Sequence, residues 1–179
     1  MDGPRDRNIF GAFALMISDD IVRASSSRAP EAGPAASALA LIAHMPGLSI
    51  RMLSIGVGLS HAATVRLVDR LAAEGLVERR EHFTDGRTRS LYLTAAGKVA
   101  SDEVLSSRDE VIAEGLSILS PDELRVLCDI AERVLRHRLE NLEHSYRICR
   151  LCCYEGCTNC PIDAELHERG VDRENSGEA

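Results

Sequence analysis

Residues 47–97 have the sequence GLSIRMLSIGVGLSHAATVRLVDRLAAEGLVERREHFTDGRTRSLYLTAAG, and this stretch decides the fold. Its apolar residues recur at helical spacing, which predicts a short helix over 48–59 and another from His61 to about Ala73. Ser60 can cap the second helix, and Gly75 provides its stop. Because short helices cannot bury their apolar sides alone, we expect one small core made by Leu53, Leu59, Leu67, Val68, Leu71 and Leu76.

The second half of the same stretch predicts a β-hairpin. Residues 76–83 and 90–94 favour strands, and Asp85-Gly86 between them favours the positive φ angles of a tight turn. Thr94 then caps a long helix over residues 95–119. Helix, turn, helix and hairpin in this order predict a winged helix-turn-helix, so the expected fold class is mainly α with a small β-wing.

Helices are also expected on both sides of this domain. Helical spacing of apolar residues predicts helices over 8–24 and 35–44, with a loop from Ala24 to Gly33 between them. Ser120-Pro121-Asp122-Glu123 is a strong helix start with a capping box, and this helix should run to about Ser145. The chain is expected to divide into an N-terminal helix and loop, the winged domain, C-terminal helices, a cysteine-rich segment and an acidic, disordered tail: residues 1–33, 34–97, 98–146, 147–162 and 163–179.

The composition is that of an ordinary globular protein of 179 residues, 45% hydrophobic and 27% charged. The net charge of −7 is unusual for a nucleic-acid-binding protein, but residues 161–179 hold six acids against two arginines. An acidic tail can therefore coexist with a locally basic surface. The N-terminus lacks a targeting pattern and the apolar runs are too short to cross a bilayer, so a cytoplasmic protein with no membrane partner is expected.

The second helix of the pair is the candidate reader of double-stranded DNA. A helix fits the major groove, where residues near its N-terminus reach the base edges, and a helix N-terminus offers N–H groups to phosphate. An arginine-bearing hairpin tip can enter the minor groove, where the local potential favours guanidinium groups. The predicted DNA-binding residues are Ser60, His61, Ala62, Val65, Arg66 and Arg70 on the helix, and Arg87 and Arg89 on the wing.

Several strings of residues in this order resemble the MarR family of regulators. They are Pro46-Gly47-Leu48-Ser49, the run from Gly58 to Leu71, Glu74-Gly75-Leu76-Val77-Glu78-Arg79, Asp85-Gly86-Arg87 and Leu91-Tyr92-Leu93-Thr94-Ala95-Ala96-Gly97. The resemblance covers roughly residues 8–145 and is specific across 47–97. It implies a homodimer held by the terminal helices, a palindromic operator, repression, and release from DNA by a small-molecule effector or by thiol oxidation.

Two features depart from the family pattern. Ile55-Gly56-Val57 stands where more polar, helix-favouring residues are usual, so this helix should be soft or should pack on something extra. Gly86 replaces a common arginine in the wing, which should weaken contact with the minor groove. A winged helix used only for protein contacts remains an alternative, because residues 59–94 carry six arginines against five acids.

Five of the six cysteines lie between Cys149 and Cys160, and four of them form two C-x-x-C pairs. Each pair can direct two thiolates at one ion, so a four-sulfur metal site is predicted. Zinc is the favoured metal, with an iron–sulfur cluster or metal-free disulfide-forming thiols as alternatives. The predicted ligands are Cys149, Cys152, Cys157 and Cys160, with Cys153 as a spare thiol and His144 as a weaker additional candidate.

This segment is expected to be either a structural clip or a redox sensor. Cys128, among apolar residues of the last long helix, is expected to be a buried core thiol.

No phosphate-cradling glycine loop or nucleophile–base motif is recognisable, so an enzyme is not expected. The alternative function is a metal- or electron-carrying protein whose winged helix only makes protein contacts, and a thiol oxidoreductase is a weaker third.

Overall fold

The computed structural model describes residues 3–30, 33–81, 89–154 and 156–171. In this part of the chain, helices predominate and three short strands form one sheet. The elements are α1 (Pro4–Arg28), α2 (Ala35–His44), β1 (Leu48–Ser49), α3 (Ile50–Val57), α4 (His61–Ala73), β2 (Val77–Glu81), β3 (Arg89–Leu93), α5 (Ala95–Leu116), α6 (Pro121–Arg138), α7 (Leu142–Ile148) and α8 (Pro161–Glu168). The predicted fold class, mainly α with a small β-wing, is confirmed.

The sheet is antiparallel and has the strand order β1-β3-β2. Strands β2 and β3 are the predicted hairpin, whereas residues 48–49 were expected to open a helix. Leu48 instead pairs with Leu91, and Ser49 remains extended so that its hydroxyl accepts a hydrogen bond from the Met52 N–H at 3.2 Å. Helix α3 therefore begins at Ile50, after its N-cap.

The main core lies between α2, α3, α4 and the sheet. Leu53, Leu67, Val68 and Leu71 are buried as predicted, and Leu59 and Leu76 pack on them while remaining partly exposed. Helix α2 supplies much of the remaining core, since all but one of residues 35–42 are buried. The predicted small core is confirmed and is larger than the sequence indicated.

The two longest helices, α1 and α5, pack on each other. Helix α1 continues to Arg28, whereas a loop was predicted from Ala24. The extra turn packs against α5, because Ser25 is buried and the Ser107 hydroxyl of α5 donates to the Ala24 carbonyl at 2.9 Å. The Ser27 hydroxyl donates to the same carbonyl at 2.7 Å. Neither these helices nor the others in the described ranges have a stretch long and apolar enough to cross a membrane.

Helix α6 ends at Arg138, so the prediction of one helix to about Ser145 was wrong. The capping box predicted at Ser120 and Glu123 is present. At its other end Leu139 is extended, and the Asn141 side chain accepts a hydrogen bond from the His144 N–H at 2.9 Å to start α7. Asparagine is a strong N-cap, so it favours a new helix over continuation of the old one.

The expectation of a disordered tail from residue 163 was also wrong for its first part. Residues 161–168 form α8, which packs on α6. Arg136 of α6 donates from Nε to the Glu165 carboxylate at 2.8 Å and is also paired with Glu168, while Arg169 donates to the Leu139 carbonyl at 2.8 Å. Residues 172–179 lie outside the described residues.

Cys128 is exposed, so the prediction of a buried core thiol was wrong. Helix α6 buries none of its residues within the chain, although it carries a regular apolar pattern. That pattern suggested a core position, but in the described part of the chain α8 packs on α6 at Leu135, while Val126, Ile130 and Val134 stay exposed.

Candidate nucleic-acid interface

The connection between α3 and α4 is a short, firmly bonded turn. Gly58 ends α3 with a φ of 70°, in the left-handed region that favours glycine, and the Leu59 N–H donates to the Ser54 carbonyl at 3.0 Å. The Ser60 hydroxyl accepts from the Ala63 N–H at 3.2 Å and caps α4. The turn therefore fixes the orientation of α4 relative to α3.

Helix α4 has one buried side and one exposed side. Thr64, Leu67, Val68 and Leu71 face the core. The predicted DNA-binding residues lie on the other side: Ser60, His61, Ala62, Arg66 and Arg70 are exposed, and Val65 is half-buried. The structure thus brings the six helical candidates together on one surface, which we call the α4 face.

Asp69 would repel phosphate, but it is held by an arginine of the wing. The Arg79 Nη2 atom lies 2.7 Å from the Asp69 Oδ1 atom, joining β2 to α4. The arginine is only 29% exposed, whereas the aspartate is 54% exposed. This pair offsets the negative charge on the α4 face and ties the wing to it, a role that the sequence alone did not assign to Arg79.

Arg80 is a second basic residue of the wing that the sequence reasoning missed. Its guanidinium carbon lies 4.4 Å from the centre of the Tyr92 ring, and its Nε donates to Glu78 at 3.0 Å. The ring and carboxylate hold this exposed cation on the outer side of the wing. The adjacent Arg79-Arg80 pair was the available signal, but nearby acids masked it in the charge balance.

The predicted wing-tip contacts are not tested by the structure. Arg87 lies outside the described residues, and Arg89 is described only as backbone that pairs with Glu81 in the hairpin. Their contact with the minor groove stays a prediction.

Helix α7 packs directly against α3, which explains the unusual glycine there. A Cβ at Gly56 would lie 2.5 Å from the Leu41 Cδ1 atom and 3.4 Å from the Tyr146 Cβ atom. Close packing of α2, α3 and α7 therefore requires the missing side chain. Arg51 of α3 also donates to Glu143 of α7 at 2.9 Å, so the C-terminal segment touches the helix-turn-helix itself.

The cysteine-rich segment begins where α7 ends. Cys149 is buried, and Cys152, Cys153, Cys157 and Cys160 are half-exposed thiols. Its loop reaches back to α2, because the Tyr154 ring meets the His44 ring edge-on at a centroid distance of 4.1 Å. His144, the weaker metal candidate, accepts a hydrogen bond at Nδ1 from the Glu140 N–H at 3.2 Å.

The thiols are grouped in the predicted pairs. A hydrogen bond with Cys149, together with burial, raises the pKa of the Cys152 thiol. Burial and the neighbouring Cys160 thiol raise the pKa of Cys157 to about 11. Within the described ranges, however, no three histidine, cysteine or acidic side chains converge on a point that could hold a metal ion. The metal prediction therefore remains a prediction.

An exposed helix presented by a capped turn, with a two-stranded wing beside it, defines a winged helix-turn-helix domain. Residues 32–88 match the model of the MarR family. This match covers the winged helix domain and confirms the resemblance to the MarR family that was inferred from residues 47–97.

Known relatives agree with this assignment. The chain is 29% identical over 105 residues to the uncharacterized HTH-type transcriptional regulator YdgJ of Bacillus subtilis, covering 59% of this chain and 63% of that protein. It is 30% identical over 93 residues to the HTH-type transcriptional regulator BilQ of Clostridium symbiosum, covering 52% and 65%. These matches span less than two thirds of either relative. Both are HTH-type transcriptional regulators.

A solved structure shows the same fold. A MarR family protein from Bacillus stearothermophilus superposes with a TM-score of 0.66 at 22% identity, covering 76% of this chain and 98% of that one. The shared architecture therefore extends beyond the winged domain into the flanking helices.

Proposed function

We propose that this chain is a dimeric, sequence-specific DNA-binding transcription regulator in which α4 enters the major groove. The observation that supports this most directly is the α4 face, where His61, Ala62, Arg66 and Arg70 stand exposed on a capped helix. Polar and cationic groups at the start of such a helix suit base edges and phosphates. The Asp69–Arg79 pair supports the same function because it offsets the acid on this surface.

The dimer is supported by apolar side chains that the single chain leaves exposed. On α6, Val126, Ile130 and Val134 follow each other at four-residue spacing and are 57%, 50% and 49% exposed. Helix α1 exposes a second apolar set: Ile9, Phe10, Phe13, Leu15 and Met16. A second copy would cover both sets, and its two-fold axis would give a palindromic operator.

We further propose that the protein acts as a repressor released by a small-molecule or redox signal. A cavity of about 270 Å³ between α1, α5 and the cysteine-rich segment supports a small-molecule signal. Ile17 and Ile21 give it apolar walls, and Arg108 and Cys152 also line it. Such a site suits a small apolar molecule with an anionic group, and a ligand there would touch both helices and thiols.

The DNA proposal is tested by selecting binding sites from a pool of random double-stranded DNA. We expect a two-fold symmetric motif with half-sites about one helical turn apart, and an affinity that falls steeply with rising salt. Recovery of no motif, together with no salt-sensitive affinity, would instead favour a metal- or electron-carrying protein whose winged helix serves protein contacts. Placing the selected motif in a reporter promoter then tests repression.

A further inference from the structure

The four paired cysteines have no part in the α4 face, and their placement calls for a separate explanation. We propose that Cys149, Cys152, Cys157 and Cys160 bind one Zn²⁺ ion through four thiolates. This proposal does not rest on DNA binding, because it concerns only the segment between α7 and α8.

The first pair is built around the end of α7. Cys149 is the C-cap residue, 7% exposed, and its carbonyl accepts a hydrogen bond from the Cys152 N–H at 3.0 Å. This turn folds the chain back at the end of α7 and brings residues 149 and 152 close together. The backbone therefore holds the two cysteines of the first pair within one turn.

The second pair is built around the start of α8. The Cys157 N–H donates to the Tyr154 carbonyl at 3.0 Å, and Asn159 has a φ of 56° in the left-handed region. Asparagine tolerates this conformation better than most residues. The resulting tight turn leads from Cys157 into Cys160, the N-cap residue of α8.

Cysteines of both pairs also belong to the same cluster. Cys149, Cys152 and Cys160 all pack in one small cluster with Leu139, Ile162 and Leu166. Four residues of this cluster are buried, so the hydrophobic core that holds α8 in place is small. A metal ion would add the cross-link that this core lacks.

Zinc fits the chemistry of this donor set. Four cysteine ligands in two C-x-x-C pairs suit tetrahedral, redox-inert Zn²⁺. Binding replaces four S–H bonds by four Zn–S bonds and releases four protons, leaving a site with a net charge of −2. Arg108, which lines the neighbouring cavity with Cys152, would offset part of this charge. Because the pairs do not yet converge on one point, zinc binding must draw them together.

The chain supplies matched controls for the test. Cys153 adjoins Cys152 but belongs to neither pair, and Cys128 is exposed on α6. The full chain should be purified without air, and its zinc, iron and sulfide should be measured by elemental analysis. We expect one zinc ion per chain in the wild type, Cys153→Ser and Cys128→Ser, and a loss of at least tenfold in affinity for zinc in Cys149→Ser and Cys160→Ser.

A second measurement applies if the ligand variants fail to fold. Co²⁺ added to the metal-free wild-type chain should give the intense visible absorption of a tetrahedral thiolate site, and Zn²⁺ should displace it. Iron with sulfide would overturn the zinc assignment, and a metal-free chain with oxidised pairs would overturn the site. Zinc retained at full affinity in both Cys149→Ser and Cys160→Ser would overturn the ligand set.

Discussion

Arg66 and Arg70 stand about one turn apart on the exposed side of α4, and the acid between them is paired with Arg79. At the scale of single residues, the proposed interface therefore depends on which charges of α4 are already paired within the protein, as Asp69 is. The sequence placed Arg66 and Arg70 on one helix side correctly, because helical spacing fixes that relation. It could not show that Asp69 is held by a strand, since that contact depends on how the hairpin packs.

Replacing Arg66 by alanine should weaken binding to the selected DNA by about 1–3 kcal/mol if the guanidinium contacts a base. Fluorescence anisotropy at a fixed salt concentration measures this loss. Arg23→Ala on α1, which removes another exposed arginine, is the matched control and should bind as the wild type does. Equal affinity of Arg66→Ala and wild type would remove this residue from the interface.

Gly97 is a second position where changing a single residue is expected to have a clear effect, here on the stability of the fold. A Cβ there would lie 2.0 Å from the Leu76 carbonyl oxygen, an atom that already accepts from the Thr94 N–H at 3.0 Å. Gly97→Ala should therefore lower the free energy of unfolding by about 1–3 kcal/mol or more, because backbone must move. Urea unfolding followed by circular dichroism measures the change.

Gly11 gives the control for this substitution. Nothing lies within 4 Å of a Cβ built at Gly11 in the middle of α1, so Gly11→Ala should be neutral or raise stability by about 0.5–1 kcal/mol. Both variants are compared at the same protein concentration. If Gly97→Ala is as stable as Gly11→Ala, the contact with Leu76 is not as tight as described.

At the scale of whole elements, the features set by adjacent residues were predicted, and those set by contacts between distant residues were missed. The hairpin and the start of α6 follow from adjacent residues, Asp85-Gly86 and the Ser120 capping box, and both were predicted. The end of α6 was missed because apolar spacing continues from Leu135 to Leu142 across the break. Helix α8 was missed because acids alone suggest solvation, whereas their partner Arg136 lies 29 residues away from Glu165.

The docking of α8 on α6 should depend on pH. Hydrogen bonds from Arg136 and then Arg169 lower the pKa of Glu165 below its ordinary value of 4.5. The contribution of a carboxylate with a lowered pKa is complete above the ordinary value and is lost as pH falls through the lower, folded value. We therefore expect α8 to loosen below about pH 4.5, as measured by amide hydrogen exchange.

Glu165→Gln removes the titrating group and should loosen α8 already at neutral pH. The exposed Glu114 of α5 is the control position, and Glu114→Gln should keep the wild-type profile. Exchange rates in α8 that are the same in wild type and Glu165→Gln across this pH range would show that the ion pairs do not hold the helix.

At the scale of the molecule, the exposed apolar stripe on α6, formed by Val126, Ile130 and Val134, supports the proposed dimer. Sequence periodicity identified α6 as amphipathic, and the error about Cys128 came from assigning its apolar side to the monomer core. A single sequence does not distinguish a side buried within one chain from a side buried between two chains.

Ile130→Glu would place a charge in the centre of that stripe. We expect it to shift the molar mass in solution from dimer to monomer, because an unpaired charge in an interface costs far more than it does in water. Size-exclusion chromatography with light scattering measures the mass. Val99→Glu, at a 58% exposed valine of α5, should remain dimeric, and a dimeric Ile130→Glu would exclude α6 from the interface.

The close packing of α7 on α3 at Gly56 carries a thermodynamic consequence. Whatever stabilises α7 at its present position also stabilises α3, which precedes the turn that directs α4. If zinc in the cysteine segment favours this arrangement and DNA favours it too, linkage requires each ligand to raise the affinity of the other by the same factor. Removal of the metal would then lower the affinity of the protein for its operator, and binding to DNA would raise its affinity for the metal.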